Sequence, residues 1–316
     1  MTIAETVGVA RTRTGGHEQG TWLGGRFRLD ERVSAADGSG TRVSGLSVWK
    51  ATDELLSRPV TVHLLPRGIP VPPRVVEAVR SAARVSDPRL AALYDTDFTA
   101  EHPYIVAEWT PGTHLEDLVL SGLPRPALAA AMIADAADAL AVAHQARRPH
   151  LRLTPRSLRW NLSTGLKITG LGLDAALYGS TGPDPVAADT TALARMLYAL
   201  LTGYWPGDDA TALPPAPRHK GGVCTPRQVR AGVPAILDAI AYRGLLGQAA
   251  DAPLRAQTPA GLAMALRMVQ RPSYQLEWPE DEAVAWPPAG TRLNAARHAR
   301  RRSGLGFRTT LLRPAG

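Results

Sequence analysis

The sequence predicts an α+β protein in which strands come first and helices follow. Three observations predict it. Between Phe27 and Trp109, short alternating apolar stretches rich in Val, Thr and Leu are separated by turn-forming residues. From Pro126 to Gln145 the chain reads as one long Ala-rich helix, with Leu128, Met132, Ile133, Ala136, Ala137 and Leu140 on a single face. From His150 to Leu173 the pattern returns to strand, turn, strand before a second helical region begins. A chain of 316 residues with 45% apolar content can bury a full core, and its length admits one large domain or two lobes.

Bulk composition excludes several classes. No run approaches 18 uninterrupted apolar residues, so no membrane span is expected. The N-terminus lacks the apolar core of a secretory signal, and residues 1–21 are expected to be disordered. The single cysteine, Cys224, excludes an internal disulfide and suits a reducing cytosol. The eight histidines are scattered, with no pair at helical ligand spacing beside a carboxylate, so no metal site is expected. The net charge of +8 comes almost wholly from arginine, since Lys50, Lys167 and Lys220 are the only lysines. Part of it is local: Arg292, Arg297, Arg300, Arg301, Arg302, Arg308 and Arg313 lie in the last 25 residues with no acid among them.

In chain order, Phe27 to Val33 alternates as a strand, and the following SAADGSGTRVSG is a turn-rich loop. Leu46 to Thr52 and Pro59 to Pro66 read as two further strands, joined by a turn. Pro73 to Val85 opens on proline and reads as a helix that ends before Ser86-Asp87-Pro88. Leu90 to Asp97 and His102 to Trp109 give two more strands, and Leu115 to Leu120 a short helix. Beyond the long helix, Leu151-Arg152-Leu153 reads as a strand, Thr154 to Leu158 as its turn, and Gly165 to Gly172 as the returning strand. Asp189 opens another helix, a Pro/Gly-rich connector spans Trp205 to Gly222, and helices are expected from Thr225 to Gly247 and from Thr258 to Gln270, with Thr258 as N-cap. Residues 272–316 contain prolines and then the arginines, and are expected to be disordered.

Two stretches carry a resemblance. HLRLTPRSL followed by Gly170-Leu171-Gly172 has the frame of the catalytic-loop hairpin of protein kinases, H-R-D-x-K-P-x-N and then D-F-G. VWKATDELLSRPVTVHLL is similar to the V-W-x-A-x-D-x-x-x-x-R-x-V-A-V-K run of bacterial Ser/Thr kinases. The chain therefore resembles the actinobacterial Ser/Thr protein kinases over residues 22–271. That resemblance implies a two-lobed protein-kinase-like fold: a small antiparallel β lobe with one helix, over about 22–108, and a larger, mostly α-helical lobe over about 109–271. It also implies a hinge at Ala107-Glu108-Trp109-Thr110, and structural roles for His150 and for Asp189, which tethers the catalytic loop.

Against the same pattern the reactive groups are missing. His63 stands at the phosphate-binding lysine, Ala78 at its glutamate partner, Arg152 at the catalytic aspartate, Thr154 at the loop lysine, Ser157 at the metal-binding asparagine and Gly170 at the metal-binding aspartate. Glu77 is one residue from Ala78, about 100° around the helix. The glycine-rich loop is reduced to Gly38 and Gly40, with Leu46 where its last glycine belongs, and Thr61 replaces the small alanine beside the adenine. Phosphoryl transfer depends on positioning and charge neutralisation, and arginine stays protonated at neutral pH. The expectation is therefore a pseudokinase and no enzyme: a regulatory or scaffolding protein-interaction module without cofactor or metal. An atypical active kinase or ATP-binding regulator is the alternative, in which the hinge backbone at Glu108, Trp109 and Thr110 holds the adenine.

The resemblance extends to the cytoplasmic pseudokinase domains of MviN-type peptidoglycan-precursor flippases. In that family it implies cell-wall signalling, phosphorylation by an active Ser/Thr kinase and docking of a forkhead-associated-domain protein. A cytoplasmic protein is expected, with the Arg-rich tail as a contact to an anionic membrane surface. Nucleic acid is disfavoured as a partner, because the tail offers only Phe307 for stacking.

Overall fold

The computed structural model describes residues 18–33, 45–246 and 257–269. The expectations for residues 1–17, for Gly38 and Gly40, and for the tail at 272–316 lie outside the described residues.

The small lobe is one antiparallel sheet. Its strands are β1 (Trp22–Leu23), β2 (Phe27–Val33), β3 (Ser47–Asp53), β4 (Arg58–Leu64), β5 (Leu93–Asp97) and β6 (Tyr104–Glu108), in the spatial order β1-β2-β3-β4-β6-β5. The alternation read from the sequence becomes alternation of faces. In β4, Val60, Val62 and Leu64 are buried while the residues between them are more open. β6 is buried on both sides: Tyr104 and Val106 pack with Phe27, Leu29 and Trp49, whereas Ile105 packs on the other face. There α1 (Pro73–Ala82) lays Val75 and Val79 against Ile105 and Leu65. Residues 18–21, expected to be disordered, belong to the sheet's edge: Gly20 N–H donates to the Leu29 carbonyl and Leu29 N–H to the Thr21 carbonyl.

The large lobe contains β7 (Thr113–His114), α2 (Leu115–Ser121), α3 (Pro126–Gln145), β8 (Leu158–Asn161), β9 (Gly165–Ile168), α4 (Leu173–Tyr178) and α5 (Pro185–Thr202). After these come the short pair β10 (Arg218–His219) and β11 (Gly222–Val223), then α6 (Pro226–Val229), α7 (Ala235–Leu246) and α8 (Pro259–Arg267). α3 has the predicted bounds. It is the one described helix long and apolar enough to cross a membrane, and its Ile133, Ala136, Ala137 and Leu140 are wholly buried against Leu193, Leu197 and Leu200 of α5. Thr258 caps α8 as the sequence indicates, its side chain accepting from Gly261 N–H.

Three local readings are corrected. Leu151–Leu153 is not a strand: Leu151 has φ +59°, outside the β region, and the pairing strands are β8 and β9, with β7 added alongside β8. α5 begins at Pro185 and not at Asp189, because Asp184 accepts from Ala187 N–H and so caps the helix earlier. The segment after Gly172 is helical as α4, a helix absent from the sequence reading; Gly170, Gly172 and Gly179 around it all have positive φ.

Asp189 holds the loop before β8. Its carboxylate is 1% exposed and accepts from His150 N–H at 2.7 Å, Leu151 N–H at 2.7 Å and His144 Nε2 at 2.8 Å. His150, fully buried, adds an Nε2 contact to the Thr169 carbonyl at 2.8 Å. Asp189→Ala strands these buried donors and is expected to cost about 3–5 kcal/mol of unfolding free energy. Urea unfolding checks it, and a loss below about 1 kcal/mol would mean that the loop is held by other contacts.

Candidate functional site

A cavity of about 190 Å³ lies between the lobes, walled by the small-lobe sheet, the hinge, the Asp189-tethered loop and α4. It is smaller than the roughly 300–1,000 Å³ common for small-molecule sites. All the residues set out above as standing at altered positions, except Ala78, line it: His63, Arg152, Thr154, Ser157 and Gly170, together with the hinge residues Glu108, Trp109 and Thr110. Ala78 sits on α1 with its carbonyl close to Gly172, and the neighbouring Glu77 is solvent-exposed. With His63 on β4 and Ala78 on α1, these two positions form no Lys–Glu clamp.

At the hinge end, Thr61 turns its hydroxyl onto the Glu108 carbonyl, 3.3 Å away, so it takes up one lone pair of the first hinge acceptor. The Glu108 carboxylate is held by Lys167 Nζ at 2.5 Å and by Ala92 N–H at 3.1 Å. Trp109 has Lys50 Nζ 5.2 Å and the Arg159 guanidinium 5.7 Å from its ring centroid. Arg159 donates to the Gly112 carbonyl at 3.0 Å. Burial lowers the Arg159 pKa, and the neighbouring Arg156 adds to that. His114 lies against the Arg156 carbonyl, and burial, with Arg159 and Arg156 nearby, pushes its imidazole down to about 3. Burial likewise pushes His63 down to about 4. Both imidazoles are neutral at pH 7, so His63 does not replace the charge of a lysine.

At the inner end the loop hydroxyls tie the loop to itself. Thr154 N–H donates to Ser157 Oγ at 3.1 Å, and Ser157 Oγ donates to the Arg152 carbonyl at 3.4 Å. Arg156 is committed to Glu116, at 2.8 Å. The Arg152 guanidinium lies 3.8 Å from the centroid of the Tyr178 ring, on α4. One turn earlier on that helix is Asp174, and a Cβ added at Gly170 would fall on the Asp174 carboxylate. The Asp174 carboxylate thus lies where a side chain at position 170 would begin, and Asp174 N–H donates to the Gly170 carbonyl at 3.0 Å. Reading position by position missed Asp174 and Tyr178. Their i, i+4 spacing in LDAALY, just after a Gly-x-Gly, is the signal that places both on one face.

No protein-family profile matches the chain. It is 28% identical over 237 residues to the serine/threonine-protein kinase PknB of Mycobacterium leprae, covering 61% of this chain and 38% of that protein. It is 26% identical over 277 residues to a probable serine/threonine-protein kinase of Corynebacterium efficiens, covering 76% and 41%. The chain therefore spans about two fifths of the length of these relatives. Among solved structures, the PknI kinase domain of Mycobacterium tuberculosis superposes with a TM-score of 0.60 at 17% identity, over 80% of this chain and 99% of that domain. The chain has the protein-kinase fold, and its relatives are bacterial Ser/Thr protein kinases. These relatives overturn the expectation of no enzyme, since they are named as kinases and point to kinase activity. The expectation rested on reading side chains at single positions, which does not register that the Asp174 carboxylate lies beside Gly170.

The two depressed histidines give a pH signature. Their folded pKa values lie below the unfolded value of about 6.5, so the unfolded chain binds protons that the folded chain refuses. Their contribution to stability is fully present above pH 6.5 and falls as pH drops toward about 4 for His63. In His63→Gln that share is absent. The stability difference between wild type and variant, read by urea unfolding, is expected to shrink as the pH is lowered from 7 to about 4.5; a constant difference would mean that the His63 imidazole is not depressed.

Proposed function

We propose that this chain is an atypical Ser/Thr kinase that binds ATP between its lobes and transfers the γ-phosphoryl group slowly to a protein hydroxyl. The observation that carries this reading is that Arg152 and Asp174 both line the inner end of a cleft that keeps its hinge. The roles are redistributed between them. Arg152 cannot accept a proton, but a guanidinium can offset the charge that develops on a transferring phosphoryl group. In this reading Asp174, which lines the same cleft, accepts the proton of the attacking hydroxyl. In the transfer, the hydroxyl oxygen bonds to the γ-phosphorus, the bond to the β-phosphate oxygen breaks, ADP leaves and Asp174 takes the proton.

Phosphoryl transfer passes through a loose transition state in which positioning and electrostatics outweigh the base. A misplaced base is therefore expected to slow the reaction by about 10²–10⁴ rather than abolish it. The glycine at position 170, neutral His63 and the Thr61 hydroxyl on the hinge carbonyl all support weak binding and slow turnover. The resemblance to flippase-associated domains supports a protein partner in cell-wall signalling, such as a forkhead-associated-domain protein that reads a phosphothreonine.

Purified protein incubated with γ-labelled ATP, with and without Mg²⁺ or Mn²⁺, tests the reading. Incorporation is expected at a rate at least 100-fold below the roughly 1–100 s⁻¹ of ordinary kinases. Asp174→Asn is expected to lower incorporation by a further 10²-fold or more while leaving ATP affinity within a few-fold. Failure of wild-type protein to bind ATP in a thermal-shift titration, together with no incorporation under any of these conditions, would defeat it.

A further inference from the structure

His63 lines the cleft, and among the described residues no hydrogen bond or ion pair reaches its imidazole. A polar side chain this far inside a protein ordinarily has a partner. Its nitrogens are not sealed in, because the sealed and unpaired side-chain nitrogens of the described residues belong to Arg58, Arg159 and Trp205. They open onto the cavity. Burial keeps the ring neutral at pH 7, so it offers one N–H donor and one bare nitrogen as acceptor.

The company of this ring is apolar. Val48 stands across from it on β3, and Ile105 on β6. Ile105 belongs to a cluster joined by Leu46, Leu93 and Leu177, all three of which line the cleft. A phosphate brought against these walls would lose its water without gaining a counter-charge from a neutral imidazole. An uncharged group that needs only a hydrogen bond meets no such cost. Size narrows the class further. The cavity of about 190 Å³ exceeds the roughly 150 Å³ that holds a benzene ring and falls short of the roughly 300–1,000 Å³ of larger ligands. It has room for one ring. A hydroxyl on that ring can donate to the bare nitrogen of His63 or accept from its N–H, so it serves either tautomer.

We propose that the His63 side of the cleft is a binding site for an uncharged, single-ring molecule bearing one hydroxyl, a phenol in its simplest form, held by a hydrogen bond to the imidazole. The proposal goes beyond the proposed function and holds whether or not ATP binds.

Titration calorimetry on the whole chain tests it with two probes, phenol and toluene, which share a shape and differ in the hydroxyl. Phenol is expected to bind with a Kd of about 1 mM or tighter. Toluene is expected to bind about three- to tenfold more weakly, the worth of one hydrogen bond. His63→Leu is expected to remove that preference while still taking toluene, which also shows that the variant is folded and its cavity open. In proton–nitrogen NMR of the wild type, phenol is expected to shift the His63 ring signals. Binding of neither probe at about 10 mM overturns the inference and leaves water as the partner of His63. Equal affinity for the two probes in the wild type, a preference for phenol that survives in His63→Leu, or binding that leaves the His63 signals unmoved overturns it as well.

Discussion

The constraint on which the cleft depends is the set of hydrogen bonds accepted by the buried Asp189 carboxylate. By taking the amides of His150 and Leu151, it pins a residue with φ +59° immediately before Arg152. A leucine does not adopt that conformation cheaply, so the turn exists because the carboxylate over-determines it. From there the chain is led through Pro155 into β8, and the side chain at 152 faces the cavity. His144 and His150 reinforce the same junction from α3 and toward Thr169. The tether takes only the backbone amides of 150 and 151, so it does not depend on the side chain that stands at position 152.

The chemistry of the cleft follows from where charge remains once the loop is fixed. His63 and His114 are neutral because burial opposes their protonation. Arg156 and Lys167 are matched to Glu116 and Glu108. Arg159 is spent on the hinge, against Trp109 and the Gly112 carbonyl. At the inner end Arg152 stacks on Tyr178, and Asp174 lies on the same helix as that ring. Compared with a cleft that neutralises triphosphate through a metal held by acids, the sign of the loop charge is reversed, and a cation is built into the protein.

Most of the fold was legible because its signals are local. The strands alternate, and β4 buries the apolar residues that the pattern assigns to one face. α3 spans the very residues that its apolar stripe marked out. Thr258 and Pro259 announce α8 by cap and first-turn chemistry. What was not legible depends on contacts distant in sequence. Leu151 looks like a strand residue and is turned by Asp189, 38 residues away. The order of the small-lobe sheet, with β6 inserted between β4 and β5, is set by pairing that no local pattern encodes.

The candidate site was harder to read for a different reason. A motif ties chemistry to a position in sequence, whereas the cleft needs it only at a point in space. Gly170 satisfies the backbone, with its positive φ, and the side chain it lacks arrives from Asp174 because the next residues coil into α4 and carry the acid back over the glycine. A helical turn takes about 3.6 residues, so a side chain four residues further on can return beside Gly170, as the Asp174 carboxylate does. A cation at 152 and an acid at 174 therefore both line the cleft, although neither stands where the kinase pattern puts a charge of its sign.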